Sequence, residues 1–555
     1  MTWSWLRIGF LLSYVLVVVF VALNQLRADG GSRRADNAVS GRCASFVNVQ
    51  TTENFTITNT AHYRAGTFDF RSVPQATLPY GGVTYNKRPF CRVVGQISNS
   101  ASQAIGFELW LVDPLQWNGR YLAMGNGGLA GSVTQGVFSY GVNNGYATSQ
   151  SDSGHSFNQS FAAEAGVHVE FLHDVVQTAD WIRDSVHYTA LASKFLIDNY
   201  YQHFTAARDG GNSRPVRSYY QGCSTGGAQG FALAQRHAQD FDGIIAGAPG
   251  AYYSHLALSF LYNARVTAGD GFLPENKLQL VQAAAIKACD ANDGLVDGLI
   301  SDPESCRFDP FTLVCDDSDQ NGNRHDPSSC ITEAQAHALK KIYDGVLDPV
   351  TGKRLYNRFF PGSEAGLVFQ EGLLDQAFTE ILMQNLWRKG LQYNGTSDFD
   401  FHADVASYDE IVGRAIDHND DQISDFLLNH GGKLLVHQGW VDQFNAQDYP
   451  IDYFNRVADR LGLSHAELNN HFRLFYQPGV EHCGGGYGPS VFDPVAAVVR
   501  WVENGVAPDE IVATQYVDNN ADRAVVRTRQ YCVWPKQPVY RGYGSVDSHV
   551  SFRCQ

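Results

Sequence analysis

Positive charge is scarce in this chain. Its 555 residues carry 41 Lys and Arg against 57 Asp and Glu, a formal net charge of −16, and no basic stripe interleaved with aromatics is visible. Phosphate binding needs clustered cations, so nucleic acid is set aside as a partner. None of the ten Cys forms a C-x-x-C pair, which argues against a zinc–thiolate site. No internal repeat and no long low-complexity tract occurs, and no apolar run after the first residues reads as a membrane span. Methionine is rare, three residues beside 27 Tyr and 33 Phe, which points to a firm, aromatic-rich interior or binding surface.

What is present is an ordinary globular composition, 44% hydrophobic and 18% charged, long enough for one large domain with an insertion or for two domains. Residues 1–28 hold a basic residue, Arg7, followed by an apolar run from Ile8 to Leu23. The run falls short of the ~20 residues that span a bilayer comfortably. It reads as a secretory signal, or as an uncleaved anchor, since a clean small-x-small cleavage site is missing. Either reading exports the rest of the chain to a secreted or periplasmic location. In an exported chain an even number of Cys favours disulfides.

Beyond the export segment, "FELWLVD" and "RYLAMGNGG" read as strands ending in glycine-rich turns, and "TADWIRDSVHYTALASKFLIDNYYQHF" reads as one long helix. "RSYYQGCS" is a strand entering a turn, "GGAQGFALAQRHAQD" a helix, and "FDGIIAGAPG" a buried strand. Strands alternating with helices indicate an α/β protein with a mostly parallel sheet. From residue 252 to 429 the pattern turns to helical pieces mixed with Asp-, Asn- and Gly-rich loops, and strands return at "GGKLLVHQGWVDQFN" and "FRLFYQPGVEHCGGGYG". The expected organisation is a catalytic sheet over 29–251 and 430–555, interrupted by a lid at 252–429.

The chemistry centres on "YYQGCSTGGAQG". Gly222, Ser224 and Gly226 make a G-x-S-x-G motif between a strand and a helix, the context of a nucleophile elbow. A hydroxyl needs a base to become a nucleophile, and an α/β-hydrolase supplies acid and then His further along the chain. After the insertion, Asp442 follows one strand and His482 another. His437 and His155 compete for the imidazole role, Asp442 could also be a turn residue, and Asp417, Asp420 and Asp421 look like ordinary loop acids. Both Ser224 and His482 have a Cys neighbour, Cys223 and Cys483. A bridge between these would hold hydroxyl and imidazole together, and two free buried thiols are the alternative. An oxyanion hole needs backbone N–H donors: Thr225, after the nucleophile, and Gly127 or Gly128 of the "GNGG" loop.

Cys-Ser, a distant Asp, then His-Cys resembles the signature of the tannase and feruloyl esterase family, as do "GCSTGGAQGFALAQRHAQDFDGIIAGAPG" and "ATSQSDSGH" upstream. The likeness covers nearly all of the chain after the export segment. It implies an α/β-hydrolase with a large inserted lid, with Ser224, Asp442 and His482 as triad and Cys223–Cys483 as the linking bridge. The remaining bridges it implies are Cys43–Cys91, Cys289–Cys306, Cys315–Cys330 and Cys532–Cys554. Spacing alone reads the acidic stretch "CDANDGLVDGLISDPESC" as a solvated loop, since it is no EF-hand. The resemblance instead implies a structural calcium there, on the carboxylates of Asp290, Asp293 and Asp297 and the carbonyls of Leu295 and Leu299.

The same resemblance implies hydrolysis of esters of aromatic acids, such as ferulate or gallate esters, through an acyl-enzyme with no organic cofactor. One branch cleaves mono(2-hydroxyethyl) terephthalate. Lid residues Phe378, Trp387, Arg388 and Tyr393 could stack on or pair with an aromatic acid, with core packing the commoner fate of such side chains. Phe444, two residues past Asp442, is a further candidate wall. A general carboxylesterase, a peptidase on the same fold, a non-catalytic hydrolase-like binding protein and a calcium-dependent surface-binding protein are the other readings.

Overall fold

The computed structural model describes residues 39–49, 54–72, 83–99, 103–129, 131–157, 166–208, 216–315 and 327–555. The expected export segment lies outside the described residues.

Among the described residues, eleven strands precede the C-terminal region: β1 (Phe55–Tyr63), β2 (Phe90–Ile97), β3 (Ile105–Val112), β4 (Arg120–Met124), β5 (Ala147–Ser151), β6 (Arg217–Cys223), β7 (Gly243–Gly247), β8 (Val346–Leu347), β9 (Arg354–Tyr356), β10 (Lys433–Gly439) and β11 (Phe472–Gln477). Nine of these form one sheet in the order β1-β2-β3-β5-β4-β6-β7-β10-β11. The β1–β2, β2–β3 and β3–β5 pairs are antiparallel, while every pair from β5 through β11 is parallel. The expected parallel character therefore holds for one part of the sheet only. The stretch from Ile97 to Ile105 is too short for a parallel crossover, which takes a dozen residues or more.

Both faces of the parallel block are buried, because helices cover it on each side. Neighbouring residues divide between the two faces, as the two-residue period of a strand requires. Tyr220, Ile244, Leu434 and Val436 join one apolar cluster, and Tyr219, Ile245 and Leu435 join the other. The helix Pro494–Asn504 contributes Val495, Val498 and Val499 to the second cluster. The segment read as one long helix is helical throughout but carries a π turn at Asp180–Asp184, between Val175–Ala179 and Ser185–Arg208.

Between β7 and β10 the chain leaves the sheet. This stretch holds the helices Tyr253–Val266, Glu275–Cys289 and Glu333–Asp344 and the small antiparallel pair β8–β9. The last of these helices starts with a capping box in which Thr332 and Gln335 satisfy each other's backbone N–H groups. Four π turns, Asp375–Thr379, Leu382–Leu386, Asp409–Gly413 and Asp425–Asn429, follow. After β11 come the hairpin β12 (Glu510–Tyr516) with β13 (Val525–Cys532), and the pair β14 (Pro538–Tyr540) with β15 (Phe552–Cys554). The five disulfides are Cys43–Cys91, Cys223–Cys483, Cys289–Cys306, Cys315–Cys330 and Cys532–Cys554.

This topology puts the segments singled out in the sequence at one end of the parallel strands. "GNGG" follows β4, the serine turn follows β6, Asp442 follows β10 and His482 follows β11. In open α/β sheets the crevice beyond the carboxyl ends of the strands is where ligands bind. Gly439, the last residue of β10, lies hard against the loop after β11. A Cβ there would stand 2.1 Å from the carbonyl oxygen of Val480 and 3.0 Å from that of Glu481. Backbone cannot yield as a side chain can, so Gly439→Ala is expected to cost about 1–3 kcal/mol. A thermal or denaturant midpoint equal to that of the wild type would contradict this contact.

Candidate active site

Ser224 sits at φ 64° and ψ −121°, a backbone region that a non-glycine residue occupies only under constraint. The constraint is visible. Its N–H donates to the carbonyl of Gly247 on β7 at 3.0 Å, and its own carbonyl accepts from Ala228 and Gly250 at 3.0 and 3.2 Å. The flanking glycines are forced by close approach. A Cβ on Gly222 would lie 2.4 Å from the Gly226 carbonyl oxygen, and one on Gly226 would lie 2.8 Å from that of Asn126. The second contact presses the glycine loop after β4 onto the start of the helix Thr225–Arg236. Gln229 strengthens it, since its Oε1 accepts from the backbone N–H of Asn126 at 3.0 Å.

Asp442 is fully buried, and each lone-pair direction of its carboxylate meets a donor. Oδ1 accepts from the backbone N–H groups of Phe444 and Asn445, both at 2.8 Å. Oδ2 accepts from Gln438 Nε2 at 2.9 Å. His482 Nδ1 lies 3.0 and 2.9 Å from the two oxygens. A buried ionised carboxylate is tolerable only when satisfied in this way. With Nδ1–H donating to Asp442, the neutral ring keeps its lone pair on Nε2. The backbone N–H of His482 donates to Gln443 Oε1 at 3.0 Å, so the ring is oriented from both ends. The Cys223–Cys483 disulfide, with its Cα atoms 5.9 Å apart, joins the residue before Ser224 to the residue after His482.

The competing histidines have other surroundings. His437 is buried on β10 beside Gly247, with Nδ1 3.3 Å from Gln477 Oε1, and burial pulls its pKa down to about 4. His155 faces two backbone carbonyls, Leu129 at 2.8 Å and Ser153 at 3.2 Å, and stacks on Phe171. Asp417 accepts from the backbone and hydroxyl of Ser254 at 2.8 and 2.6 Å, and burial raises its carboxyl to about 7. Asp421 pairs with Arg460 at 2.8 Å, and Asp420 accepts from the backbone N–H of Gln422. None of these five replaces a group in the Asp442–His482 pair.

Thr225 is buried, and its hydroxyl lies 3.4 Å from that of Tyr253. Gly127 and Gly128 follow the Asn126 contact; Gly128 has φ 56° and its carbonyl accepts from Trp181 Nε1 at 2.9 Å. Of the aromatic candidates, Phe444 packs on the His482 ring at 4.7 Å and against Phe369 at 5.3 Å. Trp387 packs on Tyr393, Phe399 and Tyr408 within the lid. Phe378 packs on Phe260, and Arg388 is exposed, donating to the carbonyl of His173 at 3.3 Å. Phe369, Tyr253 and Gln443 are neighbours of the site that the sequence reading missed. No short motif marks them, because their roles arise from contacts far apart in the chain.

In the acidic loop, Asp290 accepts from the backbone N–H groups of Asp297 and Gly298 at 3.1 and 2.9 Å, inside the Cys289–Cys306 bridge. Asp293 and Asp297 accept from Leu295 and Leu299 N–H at 3.0 and 3.1 Å. Asp297 also pairs with the guanidinium of Arg529 on β13. Burial raises the carboxyls of Asp293 and Asp297, and neighbouring carboxylates push in the same direction. An all-oxygen donor set with an excess of buried negative charge fits a hard divalent cation.

A serine held at a strained turn, its neighbour joined by a disulfide to the residue after an Asp-bound imidazole at the carboxyl ends of a parallel sheet, marks an α/β-hydrolase, and the family match makes it a carboxylic ester hydrolase. The chain belongs to the tannase and feruloyl esterase family, whose model ("Tannase and feruloyl esterase") matches residues 91–555. It is 30% identical to an uncharacterized esterase of Xanthomonas campestris, over 96% of this chain and 94% of that protein. It is also 30% identical to the "Probable feruloyl esterase B-2" of Aspergillus fumigatus, over 93% of this chain and 96% of the relative. The crystal structure of feruloyl esterase B from Aspergillus oryzae superposes with a TM-score of 0.80 at 26% identity, covering 93% of this chain and all of that one.

The bridge closes a loop of 260 residues. Loop-closure entropy alone would assign a loop of that size roughly 5 kcal/mol. Replacing both Cys223 and Cys483 by Ser is expected to lower the thermal midpoint and depress ester hydrolysis together. A double variant with the melting temperature and turnover of the parent would show that the bridge is dispensable.

Proposed function

We propose that this protein hydrolyses esters of phenolic carboxylic acids, such as ferulate or gallate esters, through a covalent acyl-enzyme. The observation that carries the reading is the buried, fully satisfied Asp442 carboxylate bound to His482, whose loop is bridged to the serine turn. Ser224 Oγ attacks the ester carbonyl carbon while its proton passes to His482 Nε2. Asp442 stabilises the imidazolium that forms and holds the tautomer. The N–H of Thr225, with that of Gly127 or Gly128, receives the charge on the carbonyl oxygen. Collapse of the tetrahedral intermediate breaks the ester C–O bond, and His482 returns the proton to the departing alcohol. Water, deprotonated by the same imidazole, then releases the acid and regenerates the serine.

Phe444 and Phe369 give the acyl side an aromatic wall next to the imidazole, which suits a planar phenolic ring. The names of the relatives point the same way. The acidic loop would hold calcium on Asp290, Asp293 and Asp297 with the carbonyls of Leu295 and Leu299. The ion would neutralise buried carboxylates and brace the lid, with no part in bond breaking. Five disulfides suit an oxidising, extracellular setting, and among the described residues no helix is long and apolar enough to cross a membrane.

Methyl ferulate, methyl gallate and the terephthalate monoester, assayed side by side, should show the first two turned over and Ser224→Ala reducing kcat by at least about 10⁴-fold. Undiminished hydrolysis by that variant would remove the mechanism. Activity on the terephthalate ester alone would remove the substrate class. A calcium-selective chelator should lower the melting temperature of the parent but not that of Asp293→Asn. Equal responses in the two proteins would count against the ion.

A further inference from the structure

The helix that begins at Ser224 ends in a second cluster of polar side chains. Its twelve residues put this cluster about 18 Å from the nucleophile, at ~1.5 Å per residue. His237 caps the helix, Asp240 follows in the turn toward β7, and His187 comes from the first turn of the long helix Ser185–Arg208. One donor atom from each lies within 4.8 Å of the others, the only group of three His, Cys, Asp or Glu residues to gather so among the described residues. His187 Nδ1 lies 2.6 Å from Asp240 Oδ2. The two imidazoles stack with ring centres 3.8 Å apart. His237 Nε2 is shielded from solvent and lacks a hydrogen bond, with Asp184 Oδ1 standing 3.5 Å away.

We infer that His187, His237 and Asp240 bind a borderline divalent transition ion, for which zinc is the probe, as a structural clasp remote from the esterase site. Two imidazoles and a carboxylate suit zinc, which accepts nitrogen and oxygen ligands in a tetrahedral shell. The set differs in kind from the all-oxygen loop in the lid, so the two cations are told apart by chemistry. Local charge permits the ion. Lys194 donates to the backbone carbonyl of Asp240 and leaves the carboxylate for other partners. Arg183 pairs with Asp184 at 3.0 Å, which offsets the charge of that acid beside His237 Nε2. Two stacked imidazolium cations would repel each other, whereas neutral rings sharing a dication do not. The bound ion would tie the long helix to the turn that feeds β7.

Zinc titration of the full-length, calcium-loaded protein by calorimetry tests this. One saturable low-micromolar site is expected in the parent, weakened at least about tenfold in His237→Gln and in Asp240→Asn. Both variants should keep the parent's ester hydrolysis rate, which shows that they fold. In the parent alone, zinc should also protect His187 and His237 from diethyl pyrocarbonate, read by mass spectrometry. Unchanged zinc affinity in both variants would overturn the assignment, as would absence of saturable binding. Equal modification of the two histidines with and without zinc would reduce the cluster to a His–Asp hydrogen bond.

Discussion

The site depends on bringing together two loops that the sheet holds apart. β6 and β11 are separated by β7 and β10, three inter-strand steps of ~4.8 Å, or about 14 Å. The serine turn leaves the first strand and the histidine loop leaves the last. The disulfide between Cys223 and Cys483 spans what remains once the loops have converged, with Cα atoms 5.9 Å apart. Both sides meet this bridge at left-handed residues, φ 64° at Ser224 and φ 63° at Cys483. Strain of this kind persists only where surrounding structure over-determines it. Here the hydrogen bond from Ser224 N–H to the Gly247 carbonyl and those from Ala228 and Gly250 to the Ser224 carbonyl fix one side, and Gln443, accepting from His482 N–H, fixes the other.

Electrostatics completes what the covalent link begins. Among the described residues no Lys or Arg pairs with the buried Asp442, which relies on two backbone N–H groups, Gln438 and the imidazole. In the proposed mechanism this carboxylate steadies the imidazolium formed when His482 takes the serine proton. Gln443 connects this arrangement to the lid. Its side chain receives the His482 N–H, while its carbonyl accepts from Gln370 of the lid at 2.7 Å. Gly366 lies so close that a Cβ there would stand 2.3 Å from that of Gln443. The lid is thereby part of the support for the histidine loop.

Much of this was legible in the residues. The serine motif, the acid after one strand and the His-Cys pair after another are local signals, and the strand–turn–helix context is local too. The antiparallel part of the sheet was less readable, because strand patterns do not state direction; only the short link from β2 to β3 does. In the lid, aromatic content gave no guide to position. Trp387 and Tyr393 pack among Phe399 and Tyr408, while Phe369, from a short 3₁₀ segment, reaches Phe444. The π turns at Asp375–Thr379 and Leu382–Leu386 rotate the following residues relative to an α-helical pattern. A 3.6-residue reading therefore assigns the faces of Phe378 and Trp387 poorly.

The elbow helix gives the molecule a further logic. Its first residues must stay where Gly226 meets Asn126, since the glycine loop and the serine turn share that contact. Its last residues are tied by His237 and Asp240 to the long helix through His187. The helix is thereby held at both ends. The lid has a comparable second attachment, since Asp297 pairs with Arg529 on β13, and Val533 just beyond bridges to Phe475 of β11. The acidic loop is thus anchored to the strand that delivers His482. The support of the imidazole therefore reaches from the sheet into the acidic loop through the side chain of Arg529.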